Sequence, residues 1–299
     1  MLRPAFRQCR QWRRLYSTTR LSTVELSYQV IEPPTSQPWG RDGYPIIFMH
    51  GLFGSKRNNR SISKALARDL NRDIFIVDLR NHGDTAHAPD HTYDHMAEDV
   101  VEFVRQHQLG KAVLIGHSMG AKTAMTVALR NQDRVSGLIP VDNAPISARL
   151  GSDFPKYVEG MKQIESANVT KQSEADEILQ NYEESVPIRQ FLLTNLIRGN
   201  NGNALKFRVP LSILGSALDN MGQFPFNHET DTGIKYDGPT LFIRGSKSKY
   251  VPDKTMPAIK TFFPNARVAD IDAGHWVISE KPEDFRQAVI SFFKENEIE

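Results

Sequence analysis

Cysteine is almost absent from this sequence, which has one, Cys9, among 299 residues. A single cysteine excludes an intrachain disulfide framework and a zinc site built from several thiolates. No apolar run approaches the roughly 18 residues that a membrane-spanning helix requires. A strong excess of charge of one sign is also missing, since 37 Lys and Arg stand against 35 Asp and Glu. These absences exclude disulfide-rich, thiolate-zinc and helical membrane proteins.

The sequence does contain enough apolar material for a folded core. Hydrophobic residues make up 39% of the chain and aromatic residues 9%. This composition is too apolar for a disordered protein and shows no collagen-like or coiled-coil bias. A chain of this length holds one large domain or two modest ones.

The first 20 residues differ in charge from the rest of the chain. They contain six arginines and no acidic residue, so the remainder carries a net charge of −4 within a total of +2. An arginine-rich leader with serine and threonine but without carboxylates is typical of a mitochondrial transit peptide. We therefore predict a transit peptide at 1–20, cleaved after Tyr16, and a mitochondrial location. The alternative is a disordered basic tail that binds nucleic acid or anionic lipid; we expect no nucleic-acid partner.

The remaining residues, 21–299, alternate short apolar runs with helical patterns. The apolar runs lie at 45–49, 74–77, 112–115, 137–141, 240–243 and 267–271. Short runs of this kind are typical of strands buried on both faces of a sheet, whereas the alternating segment 24–31 indicates an edge strand. The helical patterns include 61–70, 96–107, 122–131 and 282–294. We predict an α/β fold with a mostly parallel, doubly wound sheet.

One long segment, at about 146–235, breaks the alternation. It contains helical patterns at 154–166, 174–184 and 188–198 but no strong buried strand. We predict a helical cap, inserted after the fifth strand of the sheet. Such a cap would lie over the carboxyl ends of the strands, where open α/β sheets bind ligands.

The strongest chemical signal is the sequence G-H-S-M-G at 116–120. A buried apolar run leads into it and a helical pattern follows it. This strand–turn–helix context of G-x-S-x-G is that of a nucleophile elbow, which projects a serine hydroxyl from the top of the sheet. The N-terminus of the following helix adds partial positive charge beside that hydroxyl. Ser118 is therefore the predicted nucleophile, and an ordinary polar loop is the alternative.

A second apolar run ends in His50-Gly51 and predicts an oxyanion hole. In a site of this kind one donor is the amide after the nucleophile, and the other comes from the loop after a neighbouring strand. The predicted backbone donors are those of Leu52 and Met119, with Phe53 as a one-residue alternative. His50 and His117 flank these positions, and we expect them to shape the site rather than act as bases.

Of the nine histidines, His275 is the predicted general base. It follows the last predicted strand and precedes the terminal helix, which fits the chain order serine, acid, histidine. Three other histidines, at 87, 91 and 95, are spaced by four and suggest metal ligation on a helix. Pro89 interrupts that helix, so a solvated loop is the preferred interpretation. We expect neither a metal nor a cofactor.

The acid has two candidates. A carboxylate often follows the penultimate strand of such a sheet, but that position here is Ser248, which cannot hold a charge against an imidazolium. The nearest later carboxylate, Asp253, follows Pro252 and is typical of a helix N-cap. Asp142 ends the strand after the nucleophile strand, 24 residues beyond Ser118. Asp142 is the predicted acid, and a simple turn residue is the other interpretation of it.

Four of these motifs together resemble one branch of the α/β-hydrolases. They are H-G-L-F-G-S at 50–55, D-L-R-N-H-G at 78–83, G-H-S-M-G-A-K at 116–122 and V-D-N-A-P at 141–145. They are similar to those of fungal ethanol acetyltransferases and their mitochondrial abhydrolase relatives, over residues from about 25 to the C-terminus. The resemblance implies mitochondrial location and alcohol acetyltransferase, thioesterase and esterase activity. It also implies an acid after the strand that follows the nucleophile, which agrees with Asp142.

The predicted function is acyl transfer by a serine enzyme. The acyl group would come from a small ester or thioester, such as acetyl-CoA, and pass to an alcohol or to water. One alternative is a carboxylesterase or thioesterase that uses water only, and another is a hydrolase-fold binding protein without catalysis. Dehalogenation on this fold usually needs a carboxylate nucleophile, and a serine at position 118 argues against it.

Overall fold

The computed structural model describes residues 21–34, 43–199 and 204–298. The predicted transit peptide at 1–20 lies outside the described residues. In the described part of the chain the strands are β1 (Tyr28–Ile31), β2 (Ile46–Met49), β3 (Ile74–Val77), β4 (Ala112–His117), β5 (Val135–Val141), β6 (Leu196–Arg198), β7 (Leu205–Phe207), β8 (Thr240–Gly245) and β9 (Ala266–Ile271).

The helices alternate with these strands along the chain. They are α1 (Arg60–Leu70), α2 (Tyr93–Gln106), α3 (Met119–Arg130), α4 (Asp153–Ser166), α5 (Gln172–Leu179), α6 (Val186–Leu193), α7 (Leu211–Ser216), α8 (Leu218–Gly222), α9 (Met256–Phe262), α10 (Val277–Glu280) and α11 (Pro282–Glu295). None of them has the length and apolar character that crossing a bilayer would require.

A seven-stranded sheet with the order β1-β3-β2-β4-β5-β8-β9 forms the centre of the structure. Strand β1 is antiparallel to β3, and the other neighbouring strands are parallel. This topology confirms the predicted α/β fold with a mostly parallel sheet. The edge strand is shorter than the predicted 24–31, and two amides before Tyr28 bond to side chains: Val24 N–H donates to Asp99 and Ser27 N–H to Thr85, each at 2.8 Å.

Both faces of the sheet are buried. Successive side chains of a strand point to opposite faces, so Ile47 and Met49 belong to one apolar cluster and Ile46 and Phe48 to the other. The second cluster is closed by α11, whose Phe285, Val289 and Phe292 are buried as one stripe. The inner strands β2 and β4 are therefore buried along their whole length, which is why they appear in the sequence as continuous apolar runs.

The segment between β5 and β8 contains helices α4 to α8 and a two-stranded hairpin of β6 and β7. The predicted helix at 188–198 is wrong in its second half. Helix α6 ends at Leu193, and Leu196–Arg198 pairs with Leu205–Phe207 in antiparallel register. The apolar pattern of a three-residue strand is too short to be distinguished from the end of a helix.

Candidate active site

Ser118 lies on a sharp turn between β4 and α3. Its backbone has φ 54° and ψ −110°, a conformation that non-glycine residues rarely adopt. Two glycines make the turn possible, because a Cβ on Gly116 would lie 2.1 Å from Gly120 O, and one on Gly120 would lie 2.7 Å from His50 O. The turn is pinned to β5 by Ser118 N–H, which donates to Val141 O at 2.9 Å. The serine hydroxyl thus stands at the carboxyl end of the central strand.

The structure brings Ser118, His275 and Asp142 into one hydrogen-bonded chain. His275 Nδ1 lies 2.6 Å from Asp142 Oδ2, and His275 Nε2 lies 3.0 Å from Ser118 Oγ. An ionised carboxylate only accepts hydrogen bonds, so Nδ1 carries the proton and Nε2 accepts from the serine hydroxyl. The imidazole therefore has the tautomer that a base for Ser118 needs.

The Asp142 carboxylate is fully buried and is held by several donors. Gly245 N–H donates to its Oδ1 at 3.0 Å, while the Ser248 hydroxyl donates to the same Oδ2 that meets His275. Ser248 therefore supplies a hydrogen bond from the position where a carboxylate often stands in such folds. Together with the His275 N–H, these donors occupy both oxygens of the carboxylate.

Asp253, the alternative acid, lies elsewhere. It is the first residue of a 3₁₀ turn, Asp253–Thr255, and its Oδ1 accepts from Arg244 Nη1 at 2.7 Å. Its side chain is 87% exposed. The expected N-cap role is not seen, since Pro252 occupies the cap position and Asp253 forms an ion pair.

Two aromatic neighbours fix the ring of His275. The Tyr250 ring stacks on it at a centroid distance of 4.0 Å and an interplanar angle of 24°. His117 Nε2–H donates to the backbone oxygen of His275 at 2.8 Å. Burial lowers the pKa of His117 to about 4, and burial together with the Asp142 charge raises the pKa of Tyr250 to about 12. Both side chains are therefore neutral near pH 7 and leave His275 as the group positioned to exchange a proton with Ser118.

The predicted oxyanion donors belong to two different elements. Met119 is the first residue of α3, and the first amides of a helix have no acceptor within it. Leu52 lies in the loop after β2 and lines the same cavity as Ser118. The Phe53 amide, the alternative donor, instead donates to His82 Nε2 at 3.0 Å. The Leu52 amide therefore stays the predicted donor from this loop.

A cavity of about 940 Å³ opens from Ser118 between α1, α6 and α11. Its lining is largely apolar and includes Phe154, Ile188, Phe191 and Trp276. Arg68 and Arg286 are among the polar residues that line it. Phe191 and Trp276 contact each other edge to face at 4.7 Å, which ties the segment between β5 and β8 to the loop that carries His275.

The three histidines spaced by four do not form one solvated loop. His87 is exposed in a loop, His91 is buried, and His95 lies on α2. The interpretation as a solvated loop is therefore wrong for His91, which is buried against the His82 ring, and for His95, because α2 begins at Tyr93. In the ranges that the structure describes, no cluster of three or more His, Cys, Asp or Glu side chains is arranged to hold a metal.

Several residues of the site were not predicted from the sequence. Tyr250, Trp276 and Phe191 carry no motif, and only the fold brings them to His275. The sequence shows that Ser248 lacks a charge, but it does not predict the hydrogen bond from its hydroxyl to Asp142. His82, within D-L-R-N-H-G, was part of a recognised motif without an assigned role.

Comparison with known proteins identifies the family. A family model described as the α/β hydrolase fold matches residues 44–282. A probable alcohol acetyltransferase of Saccharomyces cerevisiae is 36% identical, over 92% of this chain and 84% of the relative. The sn-1-specific diacylglycerol lipase ABHD11 of Mus musculus is 39% identical, over 91% of this chain and 86% of the relative.

A solved structure gives the same result. A marine microorganism esterase superposes with a TM-score of 0.79 at 31% identity, and the match covers 90% of this chain and 100% of the esterase. The predicted fold and the predicted resemblance to the fungal acetyltransferase and abhydrolase branch are thereby confirmed. The chain belongs to the α/β-hydrolase fold family.

Proposed function

We propose that this chain, an enzyme of the serine acyl hydrolase and acyltransferase type, forms an acyl-enzyme on Ser118. The Ser118 Oγ attacks the carbonyl of an ester or thioester while its proton passes to His275 Nε2, and the Asp142 carboxylate stabilises the imidazolium. His275 then gives that proton to the leaving alcohol or thiol. The observation that supports this proposal is the hydrogen-bonded chain Ser118–His275–Asp142, at 3.0 and 2.6 Å, beside an open cavity.

The oxyanion of the tetrahedral intermediate would be held by the amides of Leu52 and Met119. Such donors act in a site where water is excluded, and each contributes about 3 kcal/mol of transition-state stabilisation. The N-terminus of α3 adds its partial positive charge at the same point. The proposed site thus combines a nucleophile, a base, an acid and backbone donors for the oxyanion.

The acyl-enzyme would be resolved by an alcohol or by water. Attack by an alcohol gives an ester and attack by water gives an acid, each with His275 as the base. Acetyl transfer from acetyl-CoA to ethanol, accompanied by esterase and thioesterase activity, is supported by the sequence motifs and by the relative named a probable alcohol acetyltransferase. Hydrolysis by water alone is the alternative outcome at the same serine.

One observation favours a second candidate function. A cavity of about 940 Å³ is far larger than an acetyl group needs, and pockets of 300–1,000 Å³ hold drug-sized ligands. Its largely apolar lining suits a long acyl chain, which agrees with the relative named a diacylglycerol lipase. Hydrolysis of a glycerolipid ester is therefore the second candidate.

One set of assays tests both candidates. The protein is incubated with acetyl-CoA, with and without ethanol, and with p-nitrophenyl esters of increasing chain length. Ester formation that competes with acetate release supports the transferase, whereas a kcat/KM that rises steeply with chain length supports the lipid hydrolase. Ser118→Ala is expected to abolish turnover and labelling by a fluorophosphonate probe. Full turnover by that variant would refute the proposal.

Mitochondrial location is also part of the proposal. It is supported by the six arginines and the lack of acids in residues 1–20. Residues 1–20 fused to a fluorescent protein are expected to direct it to mitochondria, and replacement of the six arginines by glutamine is expected to prevent this. A cytosolic distribution of the first fusion would contradict the proposed location.

A further inference from the structure

Two buried imidazoles hold the loop that contains Leu52. His50 Nδ1–H donates to Gly51 O at 2.8 Å, on one side of Leu52, and Phe53 N–H donates to His82 Nε2 at 3.0 Å on the other side. Within a trans peptide the C=O and the N–H point in opposite directions. Fixing Gly51 O therefore also fixes the direction of the Leu52 N–H, which belongs to the same peptide group.

Both rings are anchored to the segment that follows β3. His50 Nε2 accepts from Leu79 N–H at 3.0 Å, and His82 Nδ1–H donates to Arg80 O at 2.9 Å. The two rings lie 5.0 Å apart and are buried. Since each ring has a backbone donor at Nε2 and a carbonyl at Nδ1, each is neutral with its proton on Nδ1. Burial lowers the pKa of both histidines, which favours this neutral form.

Phe53 explains why an acceptor is needed here. It has φ 61°, in the left-handed region, which is unfavourable for a residue other than glycine. Its side chain is 1% exposed, so an unpaired Phe53 N–H would lose its hydrogen bond without gaining one from water. Without an acceptor, the backbone would relax toward negative φ and rotate the peptide groups on both sides of Leu52.

We propose that His82 is a positioning residue of the oxyanion hole, which holds Phe53 so that the Leu52 N–H points at the acyl oxygen. His82 touches neither the substrate nor the reacting atoms and acts through this loop. The inference rests on the proposed acyl transfer at Ser118. Because an oxyanion forms only as the reaction proceeds, loss of the contact lowers kcat and leaves KM almost unchanged.

Two substitutions at position 82 separate this role from a structural one. In His82→Asn the shorter amide still reaches Arg80 O but not the Phe53 N–H. In His82→Gln the side-chain oxygen stands near the former Nε2 and accepts from Phe53. The matched control is His87→Asn, an exposed histidine of the same loop. Each variant is assayed for kcat, KM and the affinity for a trifluoromethyl ketone, which forms an oxyanion on the serine.

The expected pattern is specific. H82N lowers kcat by about 10- to 100-fold, because the Leu52 donor is misdirected rather than removed, and removal of one donor costs about 100- to 1,000-fold. Ketone binding weakens by a similar factor, and KM stays within about twofold. H82Q stays within about threefold of the unmodified protein, as does H87N. The inference is overturned by an H82N kcat within twofold of the unmodified protein, or by equal losses in H82N and H82Q. If H82N does not fold, a folded H82Q with kcat lowered tenfold or more overturns it.

The two proposals fail in different ways. If Ser118→Ala keeps its turnover, the acyl-transfer mechanism is wrong, and the positioning role of His82, which rests on that mechanism, is refuted with it. If Ser118→Ala is inactive while H82N behaves as the unmodified protein, only the positioning role of His82 is refuted.

Discussion

Asp142 is the single residue on which the choice of acid depends. Its carboxylate is fully buried and meets three donors, from Gly245, Ser248 and His275. Its backbone has φ 51°, which Asp and Asn tolerate better than most residues. This conformation turns the side chain at the end of β5 toward His275. The Ser248 hydroxyl completes the set of donors without adding a second charge beside the first.

Replacing each candidate acid by asparagine tests this assignment. In Asp142→Asn the amide can donate to His275 Nδ1 and so favour the wrong tautomer, and we expect kcat to fall by about 10³- to 10⁴-fold. In Asp253→Asn we expect kcat/KM within twofold of the unmodified protein, because Asp253 contacts Arg244 and not His275. Steady-state kinetics with one ester substrate measures both. A loss confined to Asp253→Asn would reverse the assignment.

At the scale of secondary-structure elements, the sequence predicts the buried strands from their apolar runs and the Ser118 turn from its glycines. The strands at 46–49 and 74–77 match the predicted apolar runs, and the strand at 240–245 extends the predicted run 240–243 by two residues. The Ser118 turn was visible because glycines must stand on both sides of it. The hairpin of β6 and β7 was missed because its stability comes from a partner strand that a local pattern does not contain.

The burial of His91 was missed for a similar reason. Its neighbours Pro89 and Asp90 are polar turn formers, so the local sequence favours a solvated loop. Arg80, however, bonds to Asp90 O at 2.8 Å and draws this segment inward. Tyr250 likewise stacks on His275 only because β8 and β9 are adjacent in the sheet. Contacts between distant elements are decided by packing, which one sequence without a structure does not reveal.

Lys122 connects α3 to the segment between β5 and β8. Its side chain is almost fully buried, and its Nζ–H groups donate to Gly222 O at 3.1 Å and Gln223 O at 2.9 Å, at the end of α8. The Tyr93 ring lies 5.5 Å from the ammonium group. Burial lowers the pKa of Lys122 to about 8 from the ordinary 10.5. The helix that follows Ser118 thus holds a buried lysine whose charged form lowers the stability of the folded state.

The lowered pKa predicts how stability changes with pH. The unfolded chain keeps the Lys122 proton up to about pH 10.5, whereas the folded chain releases it near pH 8. Between these values the unfolded state binds more protons, so rising pH stabilises the folded state through this group. The free energy of unfolding of the unmodified protein, minus that of Lys122→Met, is therefore expected to rise between pH 8 and 10.5 by up to about 3 kcal/mol. Urea unfolding at pH 7 to 10 measures it, and parallel curves would contradict the prediction.

At the scale of the whole molecule, the site is assembled from elements far apart in the sequence. Leu52, Ser118, Asp142 and His275 follow β2, β4, β5 and β9, and the parallel sheet brings the carboxyl ends of these strands to one edge. The order of the strands in the sheet, and not their order in the chain, decides which side chains meet. This is why an acid on β5 serves a histidine after β9 as readily as one on β8 would.

The N-terminal segment of the described chain is tied to the fold through a buried ion pair. Arg80 and Asp99 have fully buried side chains and meet at 2.7 Å. Arg80 also donates to Ser22 O at 3.0 Å, and Asp99 accepts from Val24 N–H at 2.8 Å. A buried ion pair is stable only when its remaining hydrogen-bonding capacity is met. Residues 22 and 24 therefore belong to the folded domain, although they lie just after the predicted transit peptide at 1–20.

Two shortened chains test where the folded domain begins. A chain of residues 21–299 keeps both contacts with the ion pair, and we expect its free energy of unfolding and its kcat/KM to equal those of the full chain. A chain of residues 25–299 keeps the core residue Leu26 but lacks Ser22 and Val24. Since hydrogen bonds to charged groups contribute about 1.5–3 kcal/mol each, we expect it to lose about 3 kcal/mol or more. Urea unfolding monitored by tryptophan fluorescence compares the three chains, and equal stability of the two shortened chains would show that these contacts do not hold the pair.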